Sequence, residues 1–377
     1  MTVEEGSIHA ITVPKWGMTM EGGQVTTWHV EEGGPVTAGQ EVLDIETSKI
    51  AGSVEAKVSG VLRRQVARPG QALPVGALLG VVADLSVPDA AVDEFVAGFV
   101  TESVDETAES GGPATKSVEL AGGKLNYTVQ GEGGETVVLV HGFGGDLNNW
   151  LFNTAALAAE HTVYALDLPG HGASAKSLDD ASMDSLAAAV AEFVSKVVSG
   201  RVHLVGHSLG GGICQLVAQR QPDLVASLTL IAPVGLGPEI HGGYLQAFIA
   251  AKNRRELKAA VTELFHDQSV VTGRMVDDIL RYKRILGVEQ ALGRLAAANF
   301  PQGGQALLLA PGTEALGIPV GLIWGREDKI VPASHAAALP SARLLLLDGA
   351  GHMPMMEQAK AVNEAILGWI GPARSVS

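Results

Sequence analysis

Residues 9–83 repeat themselves weakly at an offset of 37: Gly23 is answered by Gly60, Gly33 by Gly70, Val36 by Leu73, Gly39 by Gly76 and Ile45 by Val82. Between the glycine turns lie short runs of Val, Ile, Leu and Thr with no helical period. Few folds accept such a pattern, and an all-β module with two similar sheets facing each other is the one it predicts. The segment joining the halves, Glu46 to Ile50, then falls at a tight turn between strands. Lys49 is expected at its tip, exposed to a modifying enzyme.

This module is too small for the chain. With 377 residues, the protein exceeds what one hydrophobic core usually spans, and a second, larger domain is expected. Hydrophobic residues make up 46% and charged residues 18%, yet no apolar run reaches the roughly 18 residues needed to span a bilayer. The first residues, Met1-Thr2-Val3-Glu4-Glu5, lack the basic and apolar regions of a secretory signal, and Cys214, the single cysteine, forms no internal disulfide. A cytoplasmic location is expected. The net charge of −15 argues against a nucleic-acid surface or an anionic membrane as the main partner.

The residues around Lys49 are specific enough to compare. Residues 9–83, with Glu46-Thr47-Ser48-Lys49 at the turn, resemble a lipoyl domain, and the resemblance implies covalent lipoate on Lys49. Biotinyl relatives carry methionines beside their lysine, which are absent here. Ser48 departs from the Asp more common in lipoyl domains.

From residue 84 to about 117 the composition shifts. Asp84, Asp89, Asp93, Glu94, Glu102, Asp105, Glu106 and Glu109 occur with no Lys or Arg before Lys116, and like charges extend such a segment. It reads as an acidic flexible linker between a carrier domain, 1–83, and a catalytic domain, 118–377. About thirty flexible residues have a root-mean-square span of roughly 30 Å. Within it, Ala90, Val92, Phe95, Val96, Phe99 and Val100 have helical spacing. This marks either a docking helix or a transient one, while Glu109 to Ala114 reads as disordered.

Beyond Val118, strand-like apolar runs at Thr136–Val140, Val163–Asp167, Val202–Gly206, Leu228–Ile231, Val320–Trp324 and Leu344–Leu347 alternate with amphipathic helices. Such alternation gives a mainly parallel sheet covered by helices on both faces. The third run enters Gly206-His207-Ser208-Leu209-Gly210-Gly211 and a helical stretch follows. That is strand, sharp turn, helix. The glycines let the backbone pass close to its neighbours, so that Ser208 projects from a strained elbow and the Leu209 N–H points at a developing oxyanion.

A nucleophilic serine needs a base held in one tautomer by a carboxylate. His352 follows the last strand-like run, in Gly349-Ala350-Gly351-His352-Met353-Pro354, and Glu327 and Asp328 both follow the preceding one. The chain order Ser, Asp, His is that of the α/β hydrolases, and residues 118–371 resemble that family throughout. The resemblance implies that Asp328, at the family's Gly-x-x-Asp spacing, orients His352. It implies a second oxyanion donor, the Phe143 N–H, in His141-Gly142-Phe143-Gly144-Gly145, and a helical cap at about 233–305. Each oxyanion donor is worth about 3 kcal/mol when well placed.

Other residues in these motifs have plainer uses. His141 and His207 orient backbone or pack locally, and His171, in Asp167-Leu168-Pro169-Gly170-His171-Gly172, is structural. Trp150 either lines an acyl pocket or packs, Met353, Met355 and Met356 shape the pocket or the core, and Cys214 is buried and inert. In the cap, Lys252, Arg254, Arg255 and Lys258 form one basic group, and Arg281, Lys283, Arg284 and Arg294 another. They hold coenzyme A phosphates, meet the acidic lipoyl hairpin, or form a solvated face. No metal is expected.

A lipoyl domain, an acidic linker and a hydrolase domain in one chain resemble the dihydrolipoamide acetyltransferase components of acetoin dehydrogenase complexes. The resemblance implies acetyl transfer from S-acetyldihydrolipoyl-lysine to coenzyme A. It implies partners as well: a thiamine-diphosphate subunit that cleaves acetoin and dihydrolipoamide dehydrogenase. A homo-oligomer is expected. The chain lacks the C-terminal His-x-x-x-Asp-Gly motif of ordinary 2-oxo acid dehydrogenase acyltransferases and any recognisable basic domain for binding peripheral subunits. Two alternatives stay open: a lipoyl-tethered hydrolase acting as thioesterase, esterase or C–C hydrolase, and a carrier scaffold whose hydrolase domain only binds.

Overall fold

The computed structural model describes residues 8–14, 22–46, 51–99 and 115–370. The chain divides into two compact units, Met1–Gly112 and Pro113–Ser377.

The first unit contains eight strands, β1 (Ile8–Thr12), β2 (Gly22–Trp28), β3 (Pro35–Val36), β4 (Glu41–Glu46), β5 (Ala51–Glu55), β6 (Gly60–Gln65), β7 (Ala72–Pro74) and β8 (Leu78–Ala83). They form two four-stranded antiparallel sheets, ordered β1-β8-β6-β3 and β5-β4-β2-β7. The sequence repeat maps one sheet onto the other: β4 and β8 cover the same residues after the shift, and β3 and β7 begin at equivalent positions. Each half gives its short strand to the sheet built from the other half. The repeated glycines have a backbone reason, since Gly33, Gly39, Gly70 and Gly76 all take φ between +83° and +85°, a region that costs an L side chain but not glycine. Val25, Leu43, Ile45, Leu62, Leu79 and Val82 fill the space between the sheets.

Helix α1 (Asp89–Gly98) corrects the expected start of the linker at residue 84. Val92 is fully buried with Leu78, Val81, Ala83 and Val87, and Phe95, Val96 and Phe99 pack on that cluster. Arg63 pairs with Asp89 at 2.8 Å and Arg64 with Asp93 at 2.8 Å. Arg63 also donates to the carbonyls of Asp84 and Val87. The packed part of the carrier unit therefore extends to Phe99. Residues 100–114 of the expected linker lie outside the described residues, and its last three, 115–117, begin a strand of the second unit.

The second unit is built on one eight-stranded sheet from β9 (Thr115–Leu120), β10 (Gly123–Gln130), β11 (Thr136–Val140), β12 (Thr162–Asp167), β13 (Val202–His207), β14 (Val225–Ile231), β15 (Val320–Gly325) and β16 (Arg343–Leu347). Their order is β16-β15-β14-β13-β11-β12-β10-β9. The six strands from β11 onward pair in parallel, and β10 pairs antiparallel with both β9 and β12. The six runs read from sequence are the parallel strands. The antiparallel pair was not read, because β9 is mostly exposed and carries no apolar run.

Helices α2 (Thr154–Ala158), α3 (Met183–Val197) and α4 (Leu209–Arg220) alternate with these strands. Four more, α5 (Gly242–Ala250), α6 (Arg254–Thr262), α7 (Gly273–Lys283) and α8 (Val288–Asn299), stand together between β14 and β15, where the cap was expected. Then come α9 (Ala310–Glu314), α10 (Pro354–Glu357) and α11 (Ala359–Ile370). Among the described residues no helix is long and apolar enough to cross a membrane.

Candidate active site

Ser208 sits between β13 and α4 with φ 51° and ψ −116°, a conformation that a side chain occupies only at a cost. Close backbone packing imposes it. A Cβ on Gly206 would lie 2.5 Å from the Gly210 carbonyl oxygen, and one on Gly210 would lie 2.2 Å from the Val140 carbonyl oxygen. The Ser208 N–H donates to the Ile231 carbonyl at 2.9 Å, fixing the turn to the neighbouring strand. Ser208 itself is 6% exposed. Leu209 begins α4, so its N–H has no acceptor within the helix.

The loop His141–Gly145 leaves β11 and packs on this elbow: a Cβ on Gly142 would meet the Ser208 Cβ at 3.0 Å. Two buried histidines hold it. The Leu168 N–H donates to His141 Nε2 at 3.0 Å, so the proton is on Nδ1, which donates to the Gly142 carbonyl at 2.8 Å. The Gly144 N–H donates to His171 Nε2 at 3.1 Å, and His171 Nδ1 donates to the Pro169 carbonyl. Burial pushes the pKa values of both rings down. They are neutral supports of the loop, whose Phe143 ring is packed edge-on against His171, Phe248 and Phe300.

Asp328 and His352 meet in the buried interior. His352 Nδ1 lies 2.8 Å from Asp328 Oδ2, which also accepts from Trp324 Nε1 at 3.0 Å. The other oxygen, Oδ1, accepts the Ile330 and Val331 N–H groups at 2.8 and 3.0 Å. The rival carboxylate, Glu327, turns away and accepts the Gly349 and Ala350 N–H groups at 2.9 and 3.2 Å, closing the loop that leads to the histidine. His207 touches the same histidine from the elbow. Its Nε2 donates to the His352 carbonyl at 2.8 Å, the two ring centroids are 4.8 Å apart, and burial together with His352 pushes its pKa well down.

Glu357 is a supporting residue that the sequence reading missed. One carboxylate oxygen accepts the Gly351 N–H at 2.7 Å; the other accepts the His266 and Asp267 N–H groups at 2.7 and 3.1 Å. The His352 N–H donates to the Leu264 carbonyl at 2.8 Å. The histidine loop is thus tied to the segment after α6. The signal was available, as an acid five residues after the histidine, but its partners are backbone groups and leave no mark in side-chain patterns.

The remaining candidates resolve individually. Trp150 is fully buried in the core, as are Met355 and Cys214, and burial pushes the Cys214 thiol pKa up. The basic groups of the cap are mostly occupied: Lys252 pairs with Glu289, Arg254 with Asp277 and Arg281 with Asp278, while Arg294 donates to the carbonyls of Leu178 and Asp179. Lys283 is buried and donates to the carbonyls of Phe248, Ile249 and Ala251 at the end of α5. Among the described residues no group of three or more His, Cys, Asp or Glu could hold a metal.

Lys49 lies outside the described residues. The strands on either side of it are described, and Glu46, the last residue of β4, pairs with Ala51, the first of β5. Four residues connect them, and Lys49 is the third. Beside this connection Asp44 accepts from His29 at 2.9 Å and from Ser53 at 2.8 Å, which together hold its carboxyl below the usual range. A connection of four residues between paired strands fits a carrier arm.

Residues 135–359 match the family described as alpha/beta hydrolase fold, and residues 9–82 match the biotin and lipoyl attachment family described as biotin-requiring enzyme. The chain is 49% identical over 369 residues to the dihydrolipoyllysine-residue acetyltransferase component of the acetoin cleaving system of Pseudomonas putida, covering 96% of this chain and 98% of that protein. It is 43% identical over 366 residues to the same component of Cupriavidus necator, covering 97% and 98%. Among solved structures, a meta-cleavage product hydrolase of Pseudomonas fluorescens superposes with a TM-score of 0.62 at 24% identity, covering 67% of this chain and 96% of that one. At that identity the likeness is one of fold.

Proposed function

Because the chain belongs to the family of dihydrolipoyllysine-residue acetyltransferase components of acetoin-cleaving systems, with an α/β hydrolase fold in its second unit, we propose that Ser208 relays acetyl from a lipoyl arm on Lys49 to coenzyme A. The single observation that carries the relay is the Asp328–His352 pair at 2.8 Å, tied to the elbow of the strained Ser208 through the hydrogen bond from His207 to the His352 carbonyl. The lipoyl arm supplies the acetyl thioester. His352 takes the Ser208 proton as Oγ bonds to the acetyl carbon, and the N–H groups of Leu209 and Phe143 stabilise the oxyanion. The C–S bond breaks, and His352 gives the proton to the departing sulfur. In the second half His352 takes the proton of the coenzyme A thiol, the sulfur attacks the acetyl carbon, and Ser208 recovers its proton as the O–C bond breaks.

Exchange of one thioester for another is nearly balanced, whereas hydrolysis runs strongly downhill, so the site has to keep water out of the acetyl-serine stage. Burial of Ser208 and His352 supports that role. Acetyl arrives from a thiamine-diphosphate subunit that cleaves acetoin, and dihydrolipoamide dehydrogenase reoxidises the arm. The chain works as a homo-oligomer within that system, in the cytoplasm. The test gives lipoylated protein an acetyl-dihydrolipoyl donor with and without coenzyme A, and quantifies acetyl-CoA and acetate. Acetyl-CoA dominating over acetate is the expected result; acetate as the main product in the presence of coenzyme A turns the reading into a tethered thioesterase.

A further inference from the structure

Among the cations of the cap, the Arg284 side chain has no hydrogen-bond or ion-pair partner among the described residues, and it lines a cavity of about 730 Å³ between α5, α7 and α8. This lies within the roughly 300–1,000 Å³ range of small-ligand sites. Two more cations line it. The Lys252 ammonium pairs with the exposed Glu289, and Lys283 is 9% exposed with its N–H groups directed at the carbonyls that end α5. The rest of the wall is largely apolar, from Ile249, Leu280, Ile285 and Leu286. Leu286 is 95% exposed and Ile285 51%, a pair of side chains that gains by being covered. Three positive charges and one negative in a protein of net charge −15, set beside an apolar wall, suit a flat base that carries phosphates.

The cavity also has a fixed relation to the oxyanion loop. Ile249, in the last turn of α5, and Ala251, just past its end, line it, and Phe248, in the same turn as Ile249, packs on the oxyanion loop. Its ring centroid is 6.3 Å from that of Phe143, and it occupies the space a Cβ on Gly144 would need, 2.5 Å away. The Lys283 ammonium is 5.1 Å from the centre of the same ring and neutralises the negative end of α5. One helical turn therefore separates the cavity from the loop that lies over Ser208.

We propose that this cavity is the seat of the phosphoadenosine end of coenzyme A, with Arg284 and Lys252 bonding its phosphates, Lys283 supplying positive field and Ile285 and Leu286 covering the base. The assignment rests on the acetyl-transfer reading, since that reaction is what requires a second substrate bearing phosphates at one end and a thiol at the other.

The test is calorimetric titration of the full-length protein with 3′,5′-ADP, which has the base and phosphates but no thiol. Arg284→Ala is expected to weaken binding roughly tenfold or more, the worth of a charge-assisted bond, and to raise the KM for coenzyme A by a similar factor with kcat unchanged. Leu286→Asp, at an exposed position, should weaken binding through charge repulsion without disturbing the fold. Arg274→Ala, on α7 but off the cavity, should leave binding as in wild type. No binding of 3′,5′-ADP to wild type, or equal binding by wild type and Arg284→Ala, overturns the assignment. So does an Arg284→Ala defect in the KM for the carrier-borne donor instead of coenzyme A, which would make the cavity the dock of the acidic carrier. Titration needs no turnover, so 3′,5′-ADP bound through Arg284 in a protein that forms no acetyl-CoA would sink the transfer reading while leaving the nucleotide site standing.

Discussion

Both oxygens of Asp328 are committed, one to two backbone N–H groups and the other to His352 and the Trp324 indole, whereas Glu327 spends itself on backbone. Asp328→Asn should therefore lower turnover by up to roughly 10⁴, the cost of a wrong imidazole tautomer in serine triads, with Glu327→Gln costing far less. Steady-state rates of the two folded variants decide this, and a larger loss in Glu327→Gln would reverse the roles. The sequence placed both acids after the same strand, and only a family's spacing separated them, because what distinguishes them is which backbone amides each accepts. A second consequence concerns pH. His141, His171 and His207 are buried with depressed pKa values, while in the unfolded chain they titrate near the ordinary value of about 6.5. Between the depressed values and about 6.5 the unfolded chain binds more protons, so stability is complete above that window and declines as pH falls through it. The Tm of the second unit should drop from pH 7.5 to 5.5, and His171→Gln should flatten the slope. A Tm independent of pH over that range would contradict the assignment of three neutral rings.

At the scale of elements, β8 and α1 explain each other. All six residues of β8 are buried; one face fills the space between the sheets, and α1 covers the other. The sequence displayed the helical spacing of Val92, Phe95, Val96 and Phe99 clearly, but its acidic residues argued for an extended tether. The counter-charges sit in a different element, on Arg63 and Arg64 of β6, and a charge count confined to one segment cannot see them. Val92→Ala in an excised carrier ending at residue 99 should cost roughly 2 kcal/mol in urea unfolding. Ending the carrier at residue 86 should cost more, by leaving the outer face of Leu78, Val81 and Ala83 bare. Equal midpoints for the two lengths would mean that α1 contributes nothing. The elbow was legible to the residue because Gly206 and Gly210 answer hard steric limits, while the antiparallel edge strand β9, exposed and apolar at few positions, offered no such limit.

For the molecule as a whole, the proposed relay divides the chemistry between the two units, and each should survive loss of the other's key residue. Ser208→Ala should abolish acetyl transfer to coenzyme A and leave Lys49 lipoylated and reductively acetylated by the acetoin-cleaving subunit. Lys49→Arg should lack the lipoyl mass increment and block the coupled reaction, while still turning over small free thioesters. Acetyl-CoA formed by Ser208→Ala at the wild-type rate would end the covalent mechanism. The composition already announced two cores, and the repeat at an offset of 37 announced the twin sheets; what neither announced was that β3 and β7 change sides. That exchange has a bearing on the order of events at the ribosome. A nascent chain that has just released Lys49 owns β1 to β4 but neither finished sheet, because β3 waits for β6, β1 waits for β8 and β2 waits for β7. The lysine is synthesised early and its domain completed late, so an enzyme that lipoylates Lys49, as proposed, would meet a folded target only after residue 83 has emerged.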